Sequence, residues 1–443
     1  MSDAYVLSSI PLEVTKIISK LEKCGFKAYL VGGSIRDLYS GITPTDWDIT
    51  TNADIQTLKE LYPSNRDIGV SNKNHDTVLV EEGGKHFEIT KFRTASNDIL
   101  DDLKHRDFTF NSIAYNPSVG ILDPFHGYDD LLSNKIVFTD STIDRIREDP
   151  LRILRALRFQ AKYGFYINNS TLTTMDHYIY MLQDVAIERI KSELDKIFVS
   201  KFSKVVTEST IFNHIITTIM PEFKSNIEPE DDRLWITTIE IVNSCLPLLE
   251  LKWAALFHNI ATINLFNRDN DEEEYEEEYD GEWEIERSIT LSKDIMERFR
   301  FDNKTIYEIC QLIKYKDVLH DFIFSYDKSI KEIRKVLGRL GIDLTLKLLE
   351  LYRAMFLNKN FKDGSFDNLL RIYKYIIDIK ANNECLTLKD MNLNGDDMIS
   401  LGYEGLQIGR GLNFLLDAII SDKVRNNKQE LITYLNSYTE EWL

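Results

Sequence analysis

The pattern of hydrophobic and polar positions changes character near residue 140. Before it, short apolar runs alternate with turn residues and amphipathic stretches, which is typical of a small α/β domain. AYLVGG predicts a strand that ends in a Gly-Gly turn, SIRDLYSG a short helix that Gly41 stops, and WDITTN a second strand. DTVLVEEGGKHFEITKFR predicts two strands joined as a hairpin by another Gly-Gly turn.

From Thr142 onward the apolar positions follow a helical period with few glycines or prolines. The remaining two thirds of the chain are therefore predicted to be mostly α-helical. Candidate boundaries lie near Asp140, near Lys201 and near Gly338, where GRLGID interrupts the helical pattern. The predicted class is α+β, an α/β part followed by helices.

Composition excludes several classes of protein. The 443 residues are 43% hydrophobic and 28% charged, which is ordinary for a globular protein and excludes a disordered or collagen-like chain. No apolar stretch approaches the roughly 20 residues of a membrane helix, and the first residues do not resemble a signal peptide. The four cysteines are scattered without a CxxC pair. We expect a protein of the cytoplasm with no membrane partner.

The formal net charge of −19 argues at first against a nucleic-acid partner. Residues 269–286, however, hold twelve acidic residues and no basic one, so a single run supplies most of the excess. The run predicts a mobile insertion or a loop between helices, because its like charges repel. The functional alternative is an acidic patch that discourages unwanted contacts with RNA.

Two motifs in the α/β part predict phosphate chemistry. Gly32 and Gly33, followed by Arg36, form a strand-to-helix turn where backbone N–H groups can approach a polyphosphate closely. Asp46 and Asp48 are two residues apart at the start of a strand, a spacing that lets both carboxylates grip hard cations. Two such ions can clamp an in-line phosphoryl transfer. Each motif alone is common in purely structural turns, but the pair is far more specific.

Further polar residues follow on the next elements. Glu88, in the hairpin, could reach the same metals from a neighbouring strand, or it could be a salt-bridge partner. In HRDFTFN, Arg106 offers a cation for phosphate, Asp107 an acceptor for ribose hydroxyls, and Asn111 a further polar contact.

An arginine-rich helix is predicted from REDPLRILRALRF. Asp149 and Arg152 are three residues apart and could present an acceptor and a donor to the edge of a base. Arg155 and Arg158 continue the same helix face, which suits a triphosphate or an RNA backbone. The alternative interpretation is an ion-paired surface helix.

Together these motifs closely resemble those of the bacterial class II CCA-adding enzymes, in the tRNA nucleotidyltransferase and poly(A) polymerase family. YLVGGSIRDL with TDWDIT resembles motif A of that family, HFEITKFR motif B, HRDFTFNSIAYNP motif C, REDPLRILRALRF motif D and VAIERIKSELDKIF motif E. The resemblance is dense over about residues 25–200 and thinner to the end of the chain.

The resemblance implies a nucleotidyltransferase-type α/β head followed by a helical neck, body and tail. We place the catalytic head at residues 1–140 and the neck that reads the base at 141–200. The body would be 201–338, with the acidic insertion 269–286, and the tRNA-binding tail 339–443.

The resemblance also implies roles for individual residues. Asp46 and Asp48 would bind catalytic Mg²⁺, with Glu88 as a further catalytic carboxylate. Other residues are expected to contact the triphosphate, the sugar or the base of the nucleotide. These nucleotide-binding residues are Gly32, Gly33, Arg36, Arg106, Asp107, Asn111, Asp149, Arg152, Arg155 and Arg158.

The sequence departs from the family pattern at three places. His105 stands where the family usually has an arginine, and only residues 94–104 stand where full CCA-adding enzymes usually carry a longer flexible loop. WAALFHNIATI resembles a degraded segment of a metal-dependent HD hydrolase, because Asn259 follows His258 where a metal-binding aspartate would stand. Nearby, His320 and Asp321 lack the other expected ligands.

We therefore predict a Mg²⁺-dependent, template-independent tRNA 3′-terminal nucleotidyltransferase that adds C and A from CTP and ATP. Within the enzyme class, the alternatives are a CC-adding enzyme that leaves the last A to a second, A-adding enzyme, and a poly(A) polymerase. Outside that class, the alternative is a catalytically silent RNA-binding protein.

Overall fold

A computed structural model describes residues 3–63, 77–224, 232–265, 281–324, 332–357 and 365–438. The chain divides into two compact units, Met1–Ile219 and Met220–Leu443. The finer division into head, neck, body and tail stays a prediction.

The first unit contains a six-stranded mixed sheet. Its first four strands are those that the sequence predicts, and the last two were not predicted. The strand order is β3-β4-β2-β1-β5-β6. β2 and β4 are parallel, and the other neighbouring pairs are antiparallel. The strands are β1 (Ala28–Val31), β2 (Asp48–Thr51), β3 (Thr77–Glu82), β4 (Lys85–Lys91), β5 (Ala114–Asn116) and β6 (Gly120–Leu122).

The two faces of the sheet differ because successive residues of a strand point to opposite sides. On one face, Leu30, Ile49 and Ile89 are fully buried. The other face carries a smaller apolar cluster that includes Tyr29, Val31, Phe92, Ile99 and Leu103. Apolar packing on both faces fixes the register of the strands, and the register determines which side chains of neighbouring strands lie next to each other.

The hairpin and the first turn form as predicted. β3 and β4 are joined by Gly83 and Gly84, with φ of 60° and 76°, a backbone region that glycine adopts without steric cost. The helix after β1 ends at Tyr39, and Gly41, with φ of 74°, follows it.

The described residues of the first unit form twelve α-helices. They are α1 (Asp3–Ser9), α2 (Leu12–Lys23), α3 (Gly33–Tyr39), α4 (Ile55–Leu61), α5 (Ile99–Lys104), α6 (Gly127–Leu132), α7 (Thr142–Glu148), α8 (Arg152–Tyr163), α9 (Asn169–His177), α10 (Ile187–Phe198), α11 (Ser203–Thr207) and α12 (Thr210–Ile219). Of these, α2, α3 and α4 pack against strands, and α8, α10 and α11 pack against one another.

The described part of the second unit is helical. Its helices are α13 (Arg233–Ser244), α14 (Leu249–Phe257), α15 (Ile260–Leu265), α16 (Gly281–Arg298), α17 (Asn303–Lys314), α18 (His320–Phe324), α19 (Ile333–Leu340), α20 (Ile342–Leu357), α21 (Ser365–Ala381), α22 (Gly395–Ser400), α23 (Leu406–Ile420) and α24 (Lys428–Ser437). The predicted α+β class is confirmed.

One detail of the helical part differs from the prediction. The acidic run is predicted to be an insertion or loop over 269–286, but residues 281–286 belong to α16, where acidic side chains suit a helix N-terminus. Residues 269–280 of the run lie outside the described residues. The predicted interruption within GRLGID lies at Gly341, where α19 ends and α20 begins.

In the described ranges, no helix combines the length and the apolar character that a membrane crossing requires.

Gly127 allows α6 to pack against the segment Thr109–Asn111. A Cβ atom at this position would lie 2.2 Å from the carbonyl oxygen of Thr109 and 2.9 Å from the Cα of Phe110. Both are backbone atoms, so neither can move away as a flexible side chain could. Gly127 therefore supports the segment that carries Asn111.

We expect Gly127→Ala to lower the free energy of unfolding by about 1–3 kcal/mol, because the added methyl overpacks this contact. Gly409→Ala is the control, since a Cβ there would meet nothing within 4 Å and alanine favours a helix interior by up to about 1 kcal/mol. Thermal unfolding of both variants measures the difference. Equal midpoints for the two variants would contradict the assigned packing.

Candidate active site

The end of β1 and the start of β2 bring the first predicted residues together. Val31 lies opposite Asp48 in the antiparallel pairing, so the Gly32–Gly33 turn leaves the sheet beside the Asp48 carboxylate. On the other side, β4 runs parallel to β2 and places Glu88 in register with Asp48. Residues in register on paired strands share a face of the sheet, so the two carboxylates project from the same side.

Gly32 is the point where the site residues converge. Its φ of 79° favours glycine, and a Cβ there would lie 3.4 Å from Nη1 of Arg106 and 3.5 Å from Oδ2 of Asp48. The turn therefore leaves a small space bounded by a guanidinium, a carboxylate and backbone. Such a space can admit a phosphate group close to the main chain.

Several carboxylates lie close to one another beside β2 and β4. Burial raises the pKa of Asp48, and the neighbouring Asp46 adds to the shift, while nearby arginines oppose it. Burial also raises the pKa of Glu88, and Asp48 and Asp46 contribute to that shift. Asp46 itself is exposed and lies before β2 rather than in it. Repelling carboxylates of this kind are stabilised by a cation placed between them.

The donor chemistry fits a hard divalent cation. Mg²⁺ is usually held by one or two protein carboxylates together with substrate phosphates and water. Within the described ranges, no three or more His, Cys, Asp and Glu side chains are arranged to hold a metal by themselves. Asp48, with Asp46 or Glu88, is therefore a partial ligand set that a phosphate-bearing substrate would complete.

A buried carboxylate that the sequence analysis missed holds Arg106 in place. Oδ2 of Asp102 accepts hydrogen bonds from Nε and Nη2 of Arg106 at 3.2 and 3.1 Å, and Oδ1 accepts the backbone N–H of Arg93 at 2.9 Å. Asp102 is 0% exposed. With these two nitrogens bound, the guanidinium directs Nη1 toward Gly32 and Asp48. The i, i+4 spacing of Asp102 and Arg106 is the sequence signal that could have identified the pair.

One buried chain of polar contacts joins Arg36 to Arg155. Nη1 of Arg36 donates to Oδ1 of Asn111 at 2.5 Å, and Nδ2 of Asn111 donates to Oδ1 of Asp107 at 2.9 Å. Arg155 donates to Oδ2 of Asp107 from Nη2 and, at 2.8 Å, from Nε. Burial would raise the pKa of Asp107, but Arg155, Asn111 and the backbone N–H of Phe108 hold that pKa well below its usual range.

These contacts fasten the sheet region to the helices that follow it. Arg36 belongs to α3 and Arg155 to α8, and Asp107 and Asn111 lie between them. Because Arg36, Asp107 and Asn111 are engaged within the protein, their direct contact with a nucleotide stays a prediction.

The prediction that Asp149 and Arg152 lie along one face of a helix is wrong. α7 ends at Glu148, Asp149 has an extended backbone with φ of −150° and ψ of 100°, and α8 begins at Arg152. Pro150 explains the break, because the residue before a proline is disfavoured in the helical region. Asp149 accepts a hydrogen bond from Nη2 of Arg189 at 2.8 Å, whereas Arg152 is buried. The two residues therefore stand at a helix joint and not along one helix face.

Carboxylates neutralise the three arginines at the predicted positions of α8, as the ion-pair interpretation expects. The pairs are Arg152 with Glu148 at 2.5 Å, Arg155 with Asp107, and Arg158 with Glu193 at 2.6 Å. Arg152 is only 5% exposed, so it is not a surface residue. Nucleotide contacts of these arginines stay predictions.

The HD-like segment of the second unit forms a helix joint. His258, at the end of α14, is 1% exposed, and its Nδ1 lies 2.7 Å from the carbonyl oxygen of Ala255. Nζ of Lys316 donates to the His258 carbonyl at 3.2 Å and to Oε1 of Glu284 at 2.9 Å. His258 is thus engaged with the backbone.

The buried Asp107 predicts a pH dependence of stability. Its pKa is lowered on folding, so its charge stabilises the protein above the unfolded value of about 3.9, and this contribution is lost as the pH falls below that value. We expect Asp107→Asn to lower the free energy of unfolding at pH 7 by about 1–3 kcal/mol and to flatten its decline in acid. Chemical denaturation between pH 3 and pH 8 measures this.

Asp129→Asn is the control for that experiment, because the Asp129 side chain is 74% exposed. This variant should follow the wild type at every pH. If Asp107→Asn also matches the wild type, the Asp107 network does not stabilise the fold.

Comparison with known proteins gives the family. Residues 28–137 match the model of the poly A polymerase head domain. A CCA-adding enzyme of Lactococcus lactis is 36% identical over 215 residues, an alignment that spans 44% of this chain and only 53% of that protein. A CCA-adding enzyme of Bacillus cereus is 33% identical over 444 residues, which cover 96% of this chain and 97% of that protein.

Solved structures share the fold at lower identity. The Bacillus stearothermophilus CCA-adding enzyme in complex with CTP is 21% identical and matches with a TM-score of 0.69 over 97% of both chains. The Thermotoga maritima CCA-adding enzyme complexed with tRNA is 21% identical and matches with a TM-score of 0.66 over 98% of both chains. The nearly full-length match to the Bacillus cereus relative shows that the chain belongs to the bacterial CCA-adding enzymes, a family of tRNA nucleotidyltransferases.

Proposed function

We propose that this protein adds C and then A to tRNA 3′ ends, one nucleotide at a time, from CTP and ATP and without a nucleic-acid template. The observation that carries the proposal is the convergence of Asp48, Arg106 and Gly32 at one end of the sheet, with Glu88 in register. Solved relatives in complex with tRNA, ATP and CTP support the choice of substrates.

Enzymes of this family are generally metal-dependent, and we propose Mg²⁺ as the ion. Asp46 and Asp48 would hold it, and the Glu88 carboxylate would help to balance its charge. When bound, the ion would polarise the phosphate and lower the pKa of the attacking hydroxyl. The raised pKa values of Asp48 and Glu88 support this assignment, because a cation would relieve their repulsion.

The protein's own groups would orient the triphosphate. Nη1 of Arg106 would donate to a phosphate oxygen, and the backbone at Gly32 and Gly33 would approach the phosphates closely. Asp102 fixes the Arg106 guanidinium before the nucleotide arrives, which lowers the ordering cost of binding. Arg36 would act through Asn111, because its guanidinium is engaged there.

Base selection is proposed for the joint between α7 and α8. Asp149 and Arg152 would present an acceptor and a donor to CTP or ATP, with Asp107 close to the sugar. Arg155 and Arg158 would keep α8 in position through their ion pairs with Asp107 and Glu193. The helices that follow would hold the tRNA.

A CC-adding enzyme is the second candidate, favoured by the short segment between β4 and Arg106. α5 begins at Ile99, and the backbone N–H of Arg93 is bound to Asp102, so only a few residues between them lie outside regular structure. A segment this short is a poor candidate for a mobile loop that repositions the base-reading residues when the enzyme changes from adding C to adding A. A second, A-adding enzyme would then complete the tRNA.

We expect Asp48→Asn to lower the rate of nucleotide addition about a thousandfold or more, since several kcal/mol of charge stabilisation would be lost. Without metal, the variant should unfold at the same or a higher temperature than the wild type. The reason is that the raised pKa of Asp48 marks a charge that the folded state disfavours.

Glu81→Gln, at an exposed hairpin position, is the control and should change neither the rate nor the unfolding temperature. Activity of folded Asp48→Asn within tenfold of the wild type would refute the assigned role.

The nucleotides added can be determined with tRNA primers ending in the discriminator base, in CC or in CCA. We expect one A to be added rapidly and completely to the CC primer when ATP alone is supplied. A sequencing gel reads the product lengths. Efficient addition of two C residues with almost no A would establish the CC-adding alternative, and long A tracts on the CCA primer would indicate a poly(A) polymerase.

A further inference from the structure

The imidazole of His105 connects the segment before Arg106 to the joint between α7 and α8. Nδ1 of His105 lies 2.7 Å from Oε1 of Glu148, the last residue of α7. The other oxygen, Oε2, receives Nη1 of Arg145 at 3.0 Å and Nη1 of Arg152 at 2.5 Å. One carboxylate therefore joins an imidazole to two guanidinium groups.

The same three residues determine the orientation of Arg152. Its Nη1 donates to Oε2 of Glu148 at 2.5 Å and to the carbonyl oxygen of Arg145 at 3.1 Å, and its Nη2 donates to the carbonyl oxygen of His105 at 2.8 Å. These bonds engage three of the five N–H groups of a guanidinium. Because the guanidinium is planar, these three acceptors also fix the direction of its two remaining N–H groups.

We infer that His105 is a positioning residue that sets base selection by holding the Glu148 carboxylate, and through it the Arg152 guanidinium. This inference rests on the proposed role of Arg152 in base reading. The N–H at Nδ1 keeps Oε1 of Glu148 turned toward residue 105, which leaves Oε2 for the two arginines. Without that donor, Oε1 of Glu148 loses its restraint, and one of the three acceptors that orient Arg152 is held less firmly.

The charges around His105 explain why an imidazole works at this position. Besides Glu148, the ring faces Oδ1 of Asp101, which lies 3.8 Å from Nε2. The adjacent Lys104 pairs with Asp140 at 3.2 Å. The imidazole contacts Oε1 of Glu148, while Arg145 and Arg152 contact Oε2, so the three groups do not compete for one oxygen. The hydrogen bond therefore orients Glu148 while the two arginines keep its charge.

The test compares His105→Asn, whose side-chain amide keeps a donor near the position of Nδ1, with His105→Leu, which has similar bulk and no donor. The measurement is the ratio of kcat/KM for CTP to that for UTP on a tRNA primer ending in the discriminator base. We expect His105→Leu to lower this ratio about tenfold and His105→Asn to stay near the wild type. Arg152→Ala, the reference, should lower the ratio at least as far.

The double variant His105→Leu/Arg152→Ala should select no worse than Arg152→Ala alone, because the imidazole acts through Arg152. If His105→Leu does not fold, as judged by circular dichroism, His105→Ala takes its place.

The outcomes separate the inference from the proposed function. If Arg152→Ala relaxes selection but His105→Leu does not, only the positioning role of His105 is overturned. Equal loss in His105→Leu and His105→Asn would also overturn it, because the donor would then be irrelevant. Unchanged selection in Arg152→Ala would refute both the base-reading role and the inference, and a wild-type protein that adds no nucleotide would refute the proposed function itself.

Discussion

The contact between the buried carboxylate of Asp107 and the partly exposed guanidinium of Arg155 is the interaction on which the arrangement of the site depends. Asp107 sits in the middle of a short segment whose neighbouring residues make separate contacts: His105 with Glu148 of α7, and Arg106 with Asp102 of α5. Arg155 anchors the centre of that segment to α8. A buried charge of this kind is costly to leave unpaired, so the segment has little freedom to shift. His105, Arg106 and Asp107 are thereby held on one backbone segment.

The sequence predicted local features well because they depend on nearby residues. The Gly32–Gly33 turn and the hairpin follow from glycine conformation and strand alternation, and the structure confirms them. Glu88 lies beside Asp48 because β2 and β4 pair in parallel, a contact that the local pattern leaves open. The apolar period continues across Asp149, so the pattern places Asp149 on the same helix face as Arg152, whereas in the structure Asp149 lies between α7 and α8. Partners such as Asp107 and Arg155 are 48 residues apart, and no local pattern relates them.

The neighbouring carboxylates of β2 and β4 illustrate a conflict between stability and chemistry. The pKa of Asp48 is raised by burial and by Asp46, and the pKa of Glu88 is raised by partial burial and by Asp48 and Asp46. A fold selected for stability alone would place apolar or neutral groups there. The apolar residues on the opposite face, such as Ile49 and Ile89, stabilise the same strands and so maintain a site that is unfavourable by itself.

The pairing of Arg106 with Asp102 helps to explain how an acidic protein can bind a polyanionic substrate. Arg106 is held by Asp102 and directs only Nη1 toward the turn at Gly32, so its positive charge is local and oriented. A guanidinium already fixed by a carboxylate loses little side-chain entropy when it meets a phosphate. The negative charge of Asp102 also weakens the long-range attraction of Arg106 for phosphates. Recognition would therefore depend on geometry at one point more than on a broad positive field, which is consistent with a net charge of −19.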